Sequence, residues 1–145
     1  MKKIHTDGAC RGNPGPGGWA WANGFDEFAS GAEPHSTNQR MELRAVIEAL
    51  RENVDGAIEI ISDSSYVVKC FNDKWHVGWL RRGWKNSQGQ PVANRDLWEE
   101  LFQLTLHSSR DISFSWVKGH SGDPLNGFVD VLATAAADLQ RGRHS

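Results

Sequence analysis

The run Asn126-Gly127-Phe128-Val129-Asp130-Val131-Leu132-Ala133-Thr134-Ala135-Ala136-Ala137 carries a single charge, on Asp130. Its apolar composition predicts a helix that packs along one side, from about Pro124 to Leu139. Asp123 is placed to be the N-cap of this helix and Pro124 its first residue. A half-buried carboxylate is costly unless a cation or a hydrogen-bond donor compensates it. Asp130 is therefore either a functional acid or an ordinary acid on the solvent side of an amphipathic helix.

Three further acids stand where they could meet Asp130. Asp7 follows a short strand predicted over 2–6, and Asp63 follows a β-rich stretch over 57–61. Glu42 lies near the start of a predicted helix. Sites in open α/β sheets gather at the carboxyl ends of strands, so four acids from four elements could converge. The alternative is that they are unrelated surface acids among the eighteen acidic residues of the chain.

The remaining periodicity predicts a mixed α/β sheet with helices packed on it. Two strands, Trp19–Asn23 and Phe25–Ala32, are joined by a tight turn at Asn23-Gly24. Ser36-x-x-Gln39 matches a capping box, and the helix after it has an apolar stripe. Asn94 is predicted to cap a later helix, and a strand is predicted from Asp111 to Val117. The element order is β-β-β-α-β-α-α-β-α.

Composition sets broad limits. A chain of 145 residues is expected to form one domain, and its formal net charge of −2 does not indicate a nucleic-acid binder by global charge. Cys10 and Cys70 lack metal-ligand or redox spacing, so we expect reduced thiols in a cytoplasmic protein. No signal peptide or membrane-spanning run is evident.

A basic window lies between Asp73 and Asp96, where no acidic residue occurs. Tryptophans alternate there with cations, a pattern typical of surfaces that bind phosphates and stack on sugars or bases. The alternative is that the tryptophans belong to the core and the cations to a solvated face. The residues concerned are Lys74, Trp75, His76, Trp79, Arg81, Arg82, Trp84, Lys85 and Arg95.

These stretches together resemble the bacterial ribonuclease HI (type 1 RNase H) family. The matching motifs run in order along nearly the whole chain. They are Thr6-Asp7-Gly8-Ala9-Cys10 with Gly12-Asn13-Pro14-Gly15-Pro16-Gly17-Gly18, Thr37-Asn38-Gln39-Arg40-Met41-Glu42-Leu43, Ser62-Asp63-Ser64, Arg82-Gly83-Trp84-Lys85, and Trp116-Val117-Lys118-Gly119-His120 with Asp130.

The resemblance implies a mixed five-stranded sheet, with the first three strands antiparallel and the rest parallel, flanked by helices. It implies one domain over 1–145 with a basic, tryptophan-rich protrusion at about 74–93. The implied activity is endonucleolytic hydrolysis of the RNA strand of RNA/DNA hybrids by two metal ions, leaving 5′-phosphate and 3′-hydroxyl ends. Two Mg²⁺ ions are implied in the substrate complex, with Mn²⁺ as a substitute, and the expected state is a monomer without membrane contact.

Carried over residue by residue, the resemblance also implies the site. The metal-binding, catalytic acids would be Asp7, Glu42, Asp63 and Asp130, and His120 would assist turnover. Hybrid contacts would come from Asn13, Asn38 and Gln39 in the minor groove, Thr37 and Asn94 at a DNA phosphate, and Trp75, Trp79, Arg81, Arg82, Trp84 and Lys85 on the DNA side.

The chain departs from the family pattern away from the four acids. Gly127, Val129, Ser65, His35 and Leu80 replace residues more usual there, which bears on substrate affinity more than on chemistry. Two other functions remain open. One is a non-catalytic hybrid-binding module of the same fold, which a metal titration would separate from an enzyme. The other is a different nuclease of the superfamily, such as a transposase core or an exonuclease, which product ends and strand preference would reveal.

Overall fold

A computed structural model describes residues 1–119 and 122–145. Within them, five strands form one sheet in the order β3-β2-β1-β4-β5. The pairs β1–β2 and β2–β3 are antiparallel, while β1–β4 and β4–β5 are parallel. The predicted mixed sheet is confirmed. The strands are β1 (Lys2–Cys10), β2 (Gly15–Gly24), β3 (Glu27–Ser36), β4 (Ile58–Ser62) and β5 (Ile112–Trp116).

Five helices are found in the described part of the chain. Three of them lie between β4 and β5, one more than the predicted element order, because the tryptophan-rich window forms a short helix of its own. The helices are α1 (Asn38–Glu52), α2 (Ser65–Asn72), α3 (Trp75–Arg81), α4 (Arg95–Leu104) and α5 (Pro124–Leu139).

The sheet has helices on both faces. Side chains alternate along a strand, and Trp21 belongs to the large cluster with α1 and α4, whereas Ala20 and Ala22 belong to a smaller cluster with α5. The predicted stripe of α1 is confirmed, since all its members are fully buried: Leu43, Val46, Ile47 and Leu50. On the other face, Gly18 lets α5 approach, because a Cβ there would lie 2.2 Å from the carbonyl oxygen of Ala133.

The β2–β3 hairpin differs from its prediction. Gly24 pairs with Glu27, so the turn is Phe25-Asp26, and the predicted turn at Asn23-Gly24 is wrong by two residues. The strand also begins at Gly15 rather than Trp19. Pairing with β1 as far as Cys10↔Gly17 explains the extension, since it supplies backbone partners to a stretch whose composition is typical of a loop.

The helix caps give one correction and one confirmation. Ser36 is the last residue of β3, and the N-cap of α1 is Thr37, whose Oγ1 accepts a hydrogen bond from the Arg40 amide at 3.2 Å. The predicted capping box at Ser36 is therefore wrong by one residue. Asp123 caps α5 as predicted, and Pro124 is its first residue.

Both cysteines, Cys10 and Cys70, are free thiols. The C-terminal tail lies along the outer edge of β3, where the Ser30 amide donates to the Arg143 carbonyl at 2.7 Å. Among the helices of residues 1–119 and 122–145, none combines the length and apolar character needed to cross a membrane.

Candidate active site

The four predicted acids are carried by four different elements. Asp7 is predicted to follow a strand over 2–6, but it lies within β1, because the strand continues to Cys10. Asp63 directly follows β4, Glu42 lies in the second turn of α1, and Asp130 lies in α5. Asp7 is buried, with 6% of its surface exposed, and the other three are half-buried.

Asp7 is the centre of this group. Burial raises its pKa from an ordinary 3.8 to about 8, and the charges of Asp63, Asp130 and Glu42 add to the rise. One hydrogen bond opposes it, from the Gly8 amide to Asp7 Oδ1 at 2.9 Å. Because the charges of all three other acids act on this one carboxyl group, Glu42, Asp63 and Asp130 lie within electrostatic range of Asp7.

Glu42 reaches the group because β1 passes close to α1. A Cβ on Gly8 would lie 2.3 Å from the Glu42 amide nitrogen, so any larger residue would push the strand and helix apart. Burial and the charge of Asp63 raise the Glu42 pKa, while the Ser64 hydroxyl, which donates to Glu42 Oε2 at 2.6 Å, lowers it. Sequence reasoning missed Ser64, although its place immediately after Asp63 at the N-cap of α2 was a usable signal.

Residues at and just after the end of β5 lie beside Asp63. The Trp116 indole donates to the Asp63 carbonyl at 3.1 Å, and a Cβ on Gly119 would lie 3.1 Å from Asp63 Oδ2. The segment after β5 therefore runs beside this acid. His120, the predicted loop histidine, is the next residue and lies outside the described residues, so its role stays a prediction.

The acids fit a hard divalent cation by their chemistry. Among residues 1–119 and 122–145, no three His, Cys, Asp or Glu side chains are grouped closely enough to serve as ligands of one ion. The pKa values of Asp7 and Glu42 are nevertheless raised, chiefly by burial and further by the repulsion of neighbouring acids. An all-carboxylate donor set is what Mg²⁺ and Mn²⁺ prefer, and a bound cation would relieve this repulsion.

The predicted minor-groove amides lie together at the start of α1. The Asn38 amide donates to Asn13 Oδ1 at 3.0 Å, which joins the β1–β2 loop to the first helical turn. Asn13, Asn38 and Gln39 are exposed. The structure thus gathers these three side chains on one accessible surface.

The predicted phosphate contacts Thr37 and Asn94 lie beside that surface. Asn94 occupies the N-cap position of α4 but makes no capping hydrogen bond with its side chain, contrary to the prediction. Its Nδ2 instead donates to the Tyr66 hydroxyl at 3.2 Å and to Gln39 Oε1 at 3.5 Å. Asn94 is therefore oriented by α1 and α2 rather than by its own helix.

Arg40 is a cation in this region that sequence reasoning missed. Its two terminal nitrogens bind the Asp96 carboxylate at 2.9 and 2.7 Å. Arg40 Nη1 also donates to Asn94 Oδ1 at 3.5 Å. A bidentate pair of this kind fixes the guanidinium plane next to the predicted phosphate contact.

The basic window divides into a packed part and an exposed part. Trp79 is buried, with 8% exposure, and belongs to the core, which supports the alternative interpretation for this ring. Trp75 and Trp84 are half-buried against the same core. The cations Arg81 and Arg82 are exposed, as is Lys85.

The Trp84 ring contacts both an aromatic ring and a cation. It stacks on Phe102 with ring centroids 5.7 Å apart, and the Arg95 guanidinium lies 5.0 Å from the Trp84 ring centroid. The half-buried Trp84 ring thus packs against the core at Phe102 of α4 and contacts the guanidinium of Arg95.

We expect Trp79→Ala to lower the free energy of unfolding by about 3–5 kcal/mol, the typical effect of removing a buried aromatic side chain. The ring packs against Trp98 with centroids 5.3 Å apart and against Phe102 at 6.4 Å. Urea unfolding followed by circular dichroism measures this change. Leu80→Ala, at an exposed neighbouring position of α3, is the control and should change stability little. Equal stability of the Trp79 variant and the wild type would contradict the core assignment.

The family model of RNase H matches residues 1–138. The chain belongs to the ribonuclease H family. It is therefore a hydrolase that acts on nucleic acid. Enzymes of the ribonuclease H family generally depend on metal ions, which agrees with the all-carboxylate site.

Known ribonucleases H resemble the chain over most of its length. A Ribonuclease H of Xanthomonas campestris pv. campestris (strain 8004) is 51% identical over 145 residues, covering 97% of this chain and 94% of the relative. LC9-RNase H1, described as a type 1 RNase H with the type 2 active-site motif, has a TM-score of 0.80 at 30% identity, covering 99% of this chain and 76% of that one.

Another solved structure resembles this chain in its fold alone. LC11-RNase H1, solved in complex with RNA/DNA hybrid, has a TM-score of 0.71 at 21% identity and covers 94% of this chain and 96% of that one. The expected ribonuclease H fold and enzyme class are confirmed by these relatives together. They favour a ribonuclease H over a non-catalytic module or a different nuclease of the superfamily.

Proposed function

We propose that this protein hydrolyses the RNA strand of RNA/DNA hybrids as an endonuclease, with two Mg²⁺ ions held by Asp7, Glu42, Asp63 and Asp130. Mn²⁺ would substitute, and the products would carry 5′-phosphate and 3′-hydroxyl ends. The observation that carries the proposal is the convergence of three acids on buried Asp7, whose pKa rises to about 8. The relatives named Ribonuclease H support RNA-strand cleavage.

The chemistry that two bound ions supply is activation of a water as nucleophile and stabilisation of the leaving 3′ oxygen. The protein's part is to hold the acids. Asp7 would lose its proton when a cation enters, because ligands bind metals in their deprotonated form. Ser64 orients the Glu42 carboxylate from the α2 side.

His120 is proposed to assist the release of product or metal. Its neighbour Gly119 lies against Asp63, which supports a place for the loop at the edge of the acid cluster. An imidazole can change charge near neutral pH, so it can act on an anionic product without holding it permanently.

The hybrid would be recognised along the start of α1. Amide side chains both donate and accept hydrogen bonds, so Asn13, Asn38 and Gln39 suit the 2′-hydroxyls and base edges of the hybrid minor groove. Thr37 and Asn94 are proposed to hold a DNA phosphate, beside the Arg40 guanidinium that Asp96 fixes in place.

The exposed part of the basic window would bind the DNA strand. Arg81, Arg82 and Lys85 supply positive charge, and Trp75 and Trp84 supply partly exposed ring surface. Trp79 is proposed to act through packing rather than as a direct hybrid contact, because its ring is buried.

We expect the double variant Arg81→Ala, Lys85→Ala to bind an RNA/DNA hybrid more weakly. Each lost phosphate contact should make the negative slope of log affinity against log salt shallower by about 1. Binding is measured by fluorescence anisotropy over a salt series without divalent metal. Arg141→Ala, an exposed cation after α5, is the control and should leave the slope unchanged. An unchanged slope in the double variant would remove these residues from the hybrid interface.

Three further properties belong to the same proposal. Residues 1–145 would act as one domain with a protrusion at about 74–93. The chain would act as a monomer, since the acids and the hybrid contacts all come from one copy. A reducing compartment such as the cytoplasm suits the free thiols of Cys10 and Cys70.

The substrate claim is tested by offering labelled RNA/DNA hybrid, RNA/RNA duplex and DNA/DNA duplex separately in Mg²⁺. We expect cutting of the RNA strand of the hybrid alone, with a 5′-phosphate on one fragment and a 3′-hydroxyl on the other. Equal cutting of RNA/RNA duplex, or fragments with a 3′-phosphate, would contradict the proposed reaction.

A further inference from the structure

Alternate residues of β1 face opposite sides of the sheet. Gly8 faces α1, since a Cβ there would meet the Glu42 amide, and Ala9 packs with the cluster that contains Val129 of α5. His5 and Asp7 share the parity of Ala9, so both lie on the α5 face, about 6.6 Å apart along the strand. A histidine therefore stands on the same face as the central acid.

His5 makes a specific contact with the beginning of α5. Its Nε2 lies 3.2 Å from Asp123 Oδ2, and the His5 side chain is 8% exposed. The other ring nitrogen, Nδ1, is buried and has no hydrogen-bond partner within residues 1–119 and 122–145. Asp123 is thus the hydrogen-bond partner that orients this imidazole.

Asp123 uses its two oxygens for different elements. Oδ1 accepts hydrogen bonds from the Leu125 and Asn126 amides, both at 3.0 Å, and so caps α5. Oδ2 takes the contact with His5. One carboxylate therefore both starts the helix and ties that start to β1.

Asp130 follows Asp123 by seven residues, close to two helical turns, so the two side chains lie on nearly the same side of α5, about 10.5 Å apart along the axis. Asp7 follows His5 by two residues on the facing strand. The strand and helix therefore meet directly at His5 and Asp123, and further along Asp130 lies within electrostatic range of Asp7.

We propose that the His5–Asp123 contact is a positioning contact that fixes the start of α5 on β1 and thereby holds Asp130 against Asp7. The proposal rests on the proposed role of these two acids in the reaction. Neither His5 nor Asp123 would touch the substrate. A directional hydrogen bond sets where the helix begins more narrowly than apolar packing does, and small misplacements of reacting groups can lower rates by about 100-fold.

The test uses His5→Phe, Asp123→Ser and the double variant in the full chain. Phenylalanine keeps a flat ring in the buried position, and serine keeps an N-cap for α5 but removes the oxygen that reaches His5. We expect kcat on a hybrid to fall by about 10- to 100-fold in each single variant, with KM unchanged. The double variant should be no slower than either single one, because both remove the same contact.

A second readout needs neither metal nor activity. In metal-free protein, the Leu125 and Asn126 amides should exchange with deuterium at least about threefold faster in both variants, while α1 amides keep their protection. His144→Phe is the matched control, because His144 Nε2 makes a similar contact with Glu52 at 2.8 Å, at the end of α1 remote from Glu42. It should leave both kcat and the exchange of α5 unchanged.

Three results would overturn the proposal: an unchanged kcat, losses that add in the double variant, or a KM that rises as kcat falls. Unchanged exchange at the start of α5 would do so independently of activity. A wild-type protein that fails to cut hybrid would instead contradict the proposed function, and the exchange measurement would still decide whether the contact fixes α5.

Discussion

Asp7→Asn should abolish RNA cleavage while leaving the fold and hybrid binding largely intact. Asparagine keeps the shape of the side chain but removes the charge at the centre of the four acids. Groups that merely hydrogen-bond a metal ligand contribute about 10- to 100-fold to affinity or activity, so loss of a ligand should exceed 100-fold in kcat. Asp63→Asn should behave alike, since its charge has the largest effect among the neighbouring acids on Asp7.

Steady-state cleavage of labelled hybrid measures this loss, and anisotropy measures binding. Asp26→Asn is the matched control, because Asp26 is exposed in the β2–β3 turn, and it should cleave as the wild type does. Full activity in either Asp7→Asn or Asp63→Asn would remove that acid from the metal site.

The stability of the metal-free protein should fall as pH rises from about 4 to about 8. The folded-state pKa of Asp7 is raised from 3.8 to about 8, and that of Glu42 is raised as well. In this window the folded protein keeps protons that the unfolded chain has released, so raising the pH favours unfolding. The contribution of these groups is complete below the unfolded pKa and is lost as the pH passes the folded one.

Asp7→Asn should remove most of this slope. At pH 9 the variant should be more stable than metal-free wild type, because asparagine carries no charge that burial and the neighbouring acids disfavour. Acids with lowered pKa values, such as Asp96 and Asp138, lose their stabilising effect only below this window. Comparison with the variant isolates Asp7 from them.

Urea unfolding in EDTA at pH 5, 7 and 9 measures the difference, with Asp26→Asn again as the control. Addition of Mg²⁺ at pH 9 should stabilise the wild type more than Asp7→Asn, because the cation binds the folded carboxylates. Parallel pH curves for wild type and Asp7→Asn would contradict the raised pKa of buried Asp7.

Helix α5 shows how much of the fold local sequence encodes. Its predicted bounds, Pro124 to Leu139, agree with the structure, and Asp123 caps it as expected. Both signals are local: a carboxylate followed by proline marks the start, and an apolar run marks the packed side. The same reasoning identified the buried stripe of α1.

The β2–β3 hairpin shows what local sequence does not encode. Asn23-Gly24 is the strongest short turn signal in this region, yet the turn is Phe25-Asp26. Register depends on partners distant in sequence, and β2 is held between β1 and β3 along most of its length. A pairing irregularity between Ala22 and Gly24 accommodates the glycine within the strand.

The site was predictable in its acids and less so in their surroundings. Motifs placed Asp7, Glu42, Asp63 and Asp130 on separate elements, and in the structure the charges of the other three act on Asp7. The contact of Ser64 with Glu42 and that of Arg40 with Asp96 depend on tertiary packing, which no local pattern reports. Likewise, whether a tryptophan in a basic window faces solvent or core depends on what packs beneath it.

Cleavage of an RNA/DNA hybrid with labelled strands, measured in Mg²⁺ and in parallel in EDTA, tests metal-dependent RNA hydrolysis. We expect cutting of the RNA strand in Mg²⁺ and none in EDTA. Tight hybrid binding without cutting in Mg²⁺ or Mn²⁺ would contradict this expectation and indicate a binding module. Equal cutting in EDTA would contradict the assignment of the four acids to a metal site.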